Sequence, residues 1–163
     1  MTQPSLTIRM AQEQDLPLIL RFIRELAQYE GLLDQVTATQ EVLEEWLFRR
    51  KKAEVVFPMV EGKEIGFALF FHNFSTFLGR AGLYLEDLYI LPEYRGRGYG
   101  RALMVRLARI ARERGCGRME WWCLDENETG NRFYRSLGAA PMEEWTVWRL
   151  TQEDLARLAP EDD

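Results

Sequence analysis

Two groups of residues in this sequence carry chemistry. The first is Arg95-Gly96-Arg97-Gly98-Tyr99-Gly100-Arg101, a glycine-rich turn between a β-type run, Leu83 to Leu91, and an amphipathic stretch. Glycine reaches positive φ and lets backbone approach a ligand closely. A helix that starts at such a turn aims unpaired N–H groups and the positive end of its dipole at one spot. That spot is an anion site suited to a pyrophosphate. The second group is Glu86-Asp87, adjacent carboxylates in an otherwise apolar strand. Burying even one charge is costly unless it is paired, so the two imply either Arg or Lys partners or a polar cleft.

Several nucleotide-binding schemes compete for the turn. A P-loop ends in Gly-Lys-Ser/Thr, whereas Gly100 precedes Arg101 and Ala102. The dinucleotide fingerprint runs G-x-G-x-x-G, and these glycines run G-x-G-x-G. Glu120 lies about 20 residues further on, as that fingerprint would like, but inside its strand rather than at the end. The unliganded alternative is a strand–helix turn merely loosened by glycine.

Composition narrows the classes. The 163 residues fit one domain, taken as 1–163, and 47% hydrophobic content supports a proper core. A net charge of −5 argues against nucleic acid as a partner. No apolar run approaches a membrane span, and Met1-Thr2-Gln3-Pro4-Ser5 lacks the pattern of a signal peptide, so a cytoplasmic protein is expected. Cys116 and Cys123 are too few for a disulfide framework or a cysteine zinc site, and His72 is the one histidine, so no metal is expected. Only the C-terminal acids Glu161-Asp162-Asp163 suggest disorder.

The elements that must position these groups follow from periodicity. Ser5 to Met10 reads as a strand. Asp15-Leu16-Pro17 opens a helix with Leu16, Leu20, Ile23, Leu26 and Ala27 inward, stopped by Gly31. A shorter helix over Glu41 to Phe48, capped by Thr37 or Thr39, is followed by β-runs at Ala53 to Val60 and Glu64 to Phe71, joined at Glu61-Gly62-Lys63. After Leu83 to Leu91 and the turn, a helix to about Arg114 buries Leu103, Leu107, Ile110 and Ala111. Arg118 to Leu124 returns as a strand. Asn127 caps a short helix ended by Gly138, Trp145 to Leu150 forms a last strand, and Thr151 with Asp154 caps a final helix. The class is α+β: an antiparallel meander, then a β-α-β unit.

Arg95-x-x-Gly98-x-Gly100 resembles the [Arg/Gln]-x-x-Gly-x-Gly/Ala motif of the GCN5-related N-acetyltransferases, and the element order is similar over the whole domain. Leu26 to Glu30, Gly66 to Phe71, Tyr84 to Asp87, Asn127-Glu128 and Phe133-Tyr134-x-x-x-Gly138-Ala139 resemble its diamine (spermidine/spermine) and thialysine branch. The sequence departs from the branch at Thr129-Gly130, where proline is usual, and at Glu126, where tryptophan is common.

The resemblance implies a mixed sheet whose two central strands splay in a V to admit the thioester of acetyl-CoA. It implies that amides of Arg95, Gly96, Arg97, Gly98, Tyr99, Gly100 and Arg101 hold the pyrophosphate, and that Leu88, Tyr89 and Ile90 pair with pantetheine. Asn127 either caps its helix or touches the cofactor. Glu86 matches the family's general base, acting directly or through water, and Tyr134 its general acid. Tyr29, Glu30, Glu86 and Asp87 would meet a polyamine-like substrate. On a flat strand Glu86 and Asp87 face opposite sides, so a bulge is expected near Asp87 if both reach one site. His72 reads as structural or exposed. Trp121, Trp122, Trp145 and Trp148 read as core and interface, and with the branch they imply a homodimer.

The function expected is transfer of acetyl to a small primary amine in a ternary complex. The alternatives are a peptide, protein or aminoglycoside acceptor, and a non-catalytic coenzyme A sensor, which would need only the turn.

Overall fold

In a computed structural model the chain is described over residues 4–161. Met1–Gln3 and Asp162–Asp163, the ends of the segment read for a signal peptide and of the acidic tail, lie outside it. The chain divides into two compact units, with the boundary between Trp122 and Cys123.

The first unit holds the sheet. Strand β1 (Thr7–Met10), helix α1 (Leu16–Tyr29) and helix α2 (Gln40–Leu43, continued by a wider π-type turn over Glu44–Arg49) precede the meander. The meander is β2 (Glu54–Val60), the two-residue β3 (Lys63–Glu64), β4 (Gly66–Ser75) and β5 (Arg80–Ile90). Helix α3 (Tyr99–Glu113) then crosses to β6 (Met119–Trp121), which is parallel to β5. The order across the sheet is β1-β2-β4-β5-β6, with β3 beside β2.

Amphipathic helices cover the sheet, α1 together with Leu43, Leu47 and Phe48 of α2 and its wider turn in one cluster, and α3 with its own stripe. On α1 the deepest residues are Ile19 and Phe22, at 0% and 1% exposure, with Leu16 and Leu26 beside them, so the buried stripe is turned from the expected Leu20 and Ile23. The Phe22 ring stacks on Phe67 at 5.8 Å and meets Phe57 and Tyr89 at 6.3 and 6.0 Å. On α3, Tyr99, Leu103, Met104, Leu107 and Ala111 are buried. Asp15 does not cap α1. Its carboxylate closes the turn before the helix, accepting from the Gln12 amide at 2.7 Å and pairing with Arg9 at 2.8 Å. Thr39 caps α2 through Val42 N–H.

Gly66 fixes how closely β4 and β5 approach. A Cβ there would lie 1.9 Å from the Tyr89 carbonyl oxygen, which is backbone and cannot swing aside. Gly66→Ala is therefore expected to cost about 3 kcal/mol, read as a lower urea midpoint at unchanged slope.

The second unit holds α4 (Glu128–Ser136) and α5 (Gln152–Leu158). The Thr151–Asp154 capping box forms as expected. The strand expected over Trp145 to Leu150 does not: the segment belongs to no ladder, and Trp145 and Trp148 are 76% and 90% exposed. Its alternation suits a pleated surface, but a strand needs a partner, and no other strand lies in this unit among the described residues. Trp145 and Trp148 are thus not core. The sheet in turn ends at β6, so the expected pair of central strands is one inner strand, β5, and one edge strand.

Candidate active site

The glycine turn is built from the end of β5. Leu91 and Pro92 carbonyls accept from the amides of Tyr94 and Arg95, at 2.9 and 3.2 Å, and close one 3-10 turn. Gly96 and Gly98 follow at φ 73° and 83°, in the left-handed region that glycine tolerates. A Cβ at either would meet nothing within 4 Å, so the dihedral angle and not crowding requires glycine there. Helix α3 starts at Gly98 without a side-chain cap. Among the described residues no protein carbonyl takes the amides of Gly96, Gly98, Tyr99, Gly100 or Arg101, and Ala102 donates to Gly98. Those donors and the helix dipole make a cradle that a diphosphate fits.

Strand β5 supplies the adjoining edge. It pairs with β6 only over Leu83 to Leu85, so Glu86 to Ile90 run on beyond that partner. Leu91 donates to the carbonyl of Ile65, the residue just before β4, at 2.8 Å. Alternation from that bond turns the amides of Leu88 and Ile90 toward the open edge, and the Tyr89 amide toward β4. Leu88 and Ile90 are the donors such an edge offers to an extended amide chain; Tyr89 contributes its ring instead.

The carboxylates sit at an irregularity in the same strand. Leu85 lies opposite Phe70 and Asp87 opposite the very next residue, Leu69, which leaves Glu86 without a facing residue. The bulge breaks the two-residue alternation and puts Asp87 on the face of Leu69 and Phe67, the face covered by α1. Glu30, the C-cap residue of α1, completes the group. Burial, then the charges of Glu86 and Glu30, push the Asp87 carboxyl up to about 7. Burial also raises Glu30. Three acids held together in this way favour a cation among them. Tyr84 is pushed up to about 12 by burial, then by the charges of Glu86 and Glu120.

Two partners of the turn were not legible in the sequence. The Arg95 side chain folds back onto β5, donating from Nε to the Ile90 carbonyl at 2.8 Å. Its guanidinium carbon lies 4.6 Å from the Tyr29 ring centre and 5.3 Å from that of Tyr89. Tyr89 in turn donates to Glu25 at 3.2 Å, one helical turn before Tyr29. The one available signal was the four-residue spacing of Glu25 and Tyr29 on α1.

The first unit therefore brings together Tyr29, Glu30, Glu86, Asp87, Leu88 to Ile90 and residues 95–101. Asn127 and Tyr134 belong to the second. There Asn127 Oδ1 accepts from Gly130 N–H at 2.9 Å, the helix cap. A Cβ at Gly130, one of the departures from the branch, would lie 2.6 Å from Asn127 Nδ2 and would oblige the capping side chain to shift. Tyr134 is half-buried on α4 with its ring 5.3 Å from that of Phe133. His72 is exposed, beside Arg114.

A diphosphate cradle, an open strand edge and an acidic group shared by β5 and the end of α1 are what a transferase needs to take an acyl group from a nucleotide-linked donor. The chain belongs to the acetyltransferase (GNAT) family, whose model matches residues 20–139. It is an N-acetyltransferase acting on amines, and the acyl donor of its family is acetyl-CoA. It is 37% identical over 164 residues to a thialysine N-epsilon-acetyltransferase of Bos taurus, covering 93% of this chain and 96% of that one. It is 34% identical to a spermidine/spermine N(1)-acetyltransferase-like protein of Homo sapiens, over 95% of this chain and 24% of that one. Among solved structures it resembles an integron cassette protein from the mobile metagenome of V. cholerae, with TM-score 0.79, 28% identity and coverage of 96% of this chain and 99% of that one. These comparisons agree with the family and branch that the sequence motifs implied.

Proposed function

We propose that the enzyme acetylates a primary amine on a small, polycationic molecule, a diamine, polyamine or thialysine-like amine, by direct attack in a ternary complex. The observation that carries this reading is the acidic group Glu30, Glu86 and Asp87 at the bulge of β5, beside an edge suited to pantetheine. A primary amine has a pKa of about 10.4, so about one molecule in a thousand is a free nucleophile near neutral pH. Acids that raise one another's affinity for protons are relieved by ammonium groups.

When bound, acetyl-CoA supplies a thioester carbonyl open to nucleophiles. Gly96, Gly98, Tyr99, Gly100 and Arg101 would hold its diphosphate by their amides, and Leu88 and Ile90 its pantetheine arm. Glu86, exposed at the bulge, takes the proton leaving the amine nitrogen, directly or through a water. Asp87 and Glu30 hold a second, distal ammonium. Tyr134 would supply, from its hydroxyl, the proton needed by the thiolate that leaves as the acetyl group passes to the amine nitrogen. Asn127 serves as a helix cap.

A turnover screen of acetyl-CoA with spermidine, putrescine, thialysine, an aminoglycoside and a lysine peptide tests the acceptor. The diamines and thialysine should lead; a preference for the peptide would reject the reading. Tyr134→Phe should lower kcat about tenfold with acetyl-CoA affinity unchanged. Full activity would return Tyr134 to a packing role.

The family model crosses the junction of the two units, which supports treating the chain as one domain. Two free thiols agree with a reducing, cytoplasmic setting. The exposed Trp145, Val147, Trp148 and Leu150 support a homodimer. Trp148→Glu is then expected to halve the mass measured by light scattering.

A further inference from the structure

We propose that Arg95 is a positioning residue that ties the diphosphate turn to the last turn of α1, so that the acyl-donor site and the amine site are energetically coupled. The proposal rests on the acetyl-transfer reading above and adds a link between its two halves. An arginine opening an anion-binding turn is expected to spend its charge on the anion. Here its Nε is engaged by the Ile90 carbonyl at 2.8 Å, and its flat guanidinium faces two rings, Tyr29 and Tyr89, from different elements.

The link has two arms to one helix. Arg95 reaches α1 directly through Tyr29, and through Tyr89, whose hydroxyl donates to Glu25. Glu25 is itself held by Arg21 at 3.0 Å. Tyr29 is the last residue of α1, and Glu30 follows as its C-cap before Gly31 breaks the helix at φ 74°. A residue that holds Tyr29 thus sets where the Glu30 carboxylate stands relative to Asp87. Its backbone belongs to the turn whose amides take the diphosphate. Ordering the turn orders the acids, and the reverse holds by linkage. Arginine suits the role because its planar fork can stack and donate at once, which a lysine ammonium cannot.

Steady-state kinetics with acetyl-CoA and thialysine or spermidine test this in Arg95→Leu, Arg95→Lys, Tyr29→Leu and the Arg95→Leu/Tyr29→Leu pair. Arg95→Leu and Tyr29→Leu should each raise the amine KM by about fivefold or more, with kcat less affected. The pair should be no worse than Arg95→Leu alone, since that change already removes the contact with Tyr29. Arg95→Lys should remain impaired. A rise in the acetyl-CoA KM alone, full rescue by lysine, or additive losses in the pair would overturn the link. If the wild-type enzyme acetylates neither amine, the substrate reading fails separately. Hydrogen exchange of amides 28–32 then decides: several-fold faster exchange in Arg95→Leu supports the link, and equal exchange removes it.

Discussion

Glu86→Gln is expected to lower kcat by about a hundredfold at pH 7, with the deficit shrinking as pH rises. The bulge leaves Glu86 exposed and without a facing residue, so its carboxylate is available to an incoming amine or to a water between them. Glutamine keeps the shape and cannot accept the proton. The amine must then arrive already deprotonated, and that fraction grows tenfold per pH unit until about 10.4. The wild-type and variant profiles should therefore converge at alkaline pH. Parallel or identical profiles would remove Glu86 from the proton-transfer step.

The second large effect belongs to Asp87. Its folded-state pKa of about 7 lies above the ordinary 3.8, so the native protein holds that proton more tightly than the unfolded chain. A raised carboxyl pKa costs stability above the unfolded value, growing between pH about 4 and 7 and complete beyond. Asp87→Asn should therefore stabilise the protein at pH 8 and leave it unchanged near pH 4. The gain at pH 8 should be about 2 kcal/mol, roughly half the full linkage value because solvent screens part of the interaction. Activity moves the other way. The variant loses the partner of the distal ammonium, and kcat/KM for a diamine should fall about 30-fold or more above pH 7. The inflection near pH 7 should vanish with it. Urea melts and pH profiles of the same variant give both readouts. A variant that is neither more stable nor less active at pH 8 would contradict the acidic group as described.

These two predictions rest on a feature legible in the sequence itself. Adjacent carboxylates in an apolar strand either face opposite sides or require a bulge, and the register shift opposite Leu69 and Phe70 supplies it. The glycine turn was equally legible, because positive φ at Gly96 and Gly98 is a local property of those residues. What failed was non-local. Trp145 to Leu150 carries strand-like alternation, yet alternation says nothing about whether a partner edge exists. Asp15 looked like a cap because its spacing to Pro17 fits one, and the pull of Arg9 decided otherwise. The Arg95 stack joins residues far apart in the chain, and only the crossing of β5 with α1 brings them together.

The account depends above all on main-chain donors at residues 96–101 receiving a diphosphate. An amide-resolved NMR titration with coenzyme A, run beside one with pantetheine, which lacks that group, tests it most directly. Gly96, Gly98, Tyr99, Gly100 and Arg101 should shift strongly with coenzyme A and stay in place with pantetheine. Turn amides unmoved by saturating coenzyme A would contradict the account.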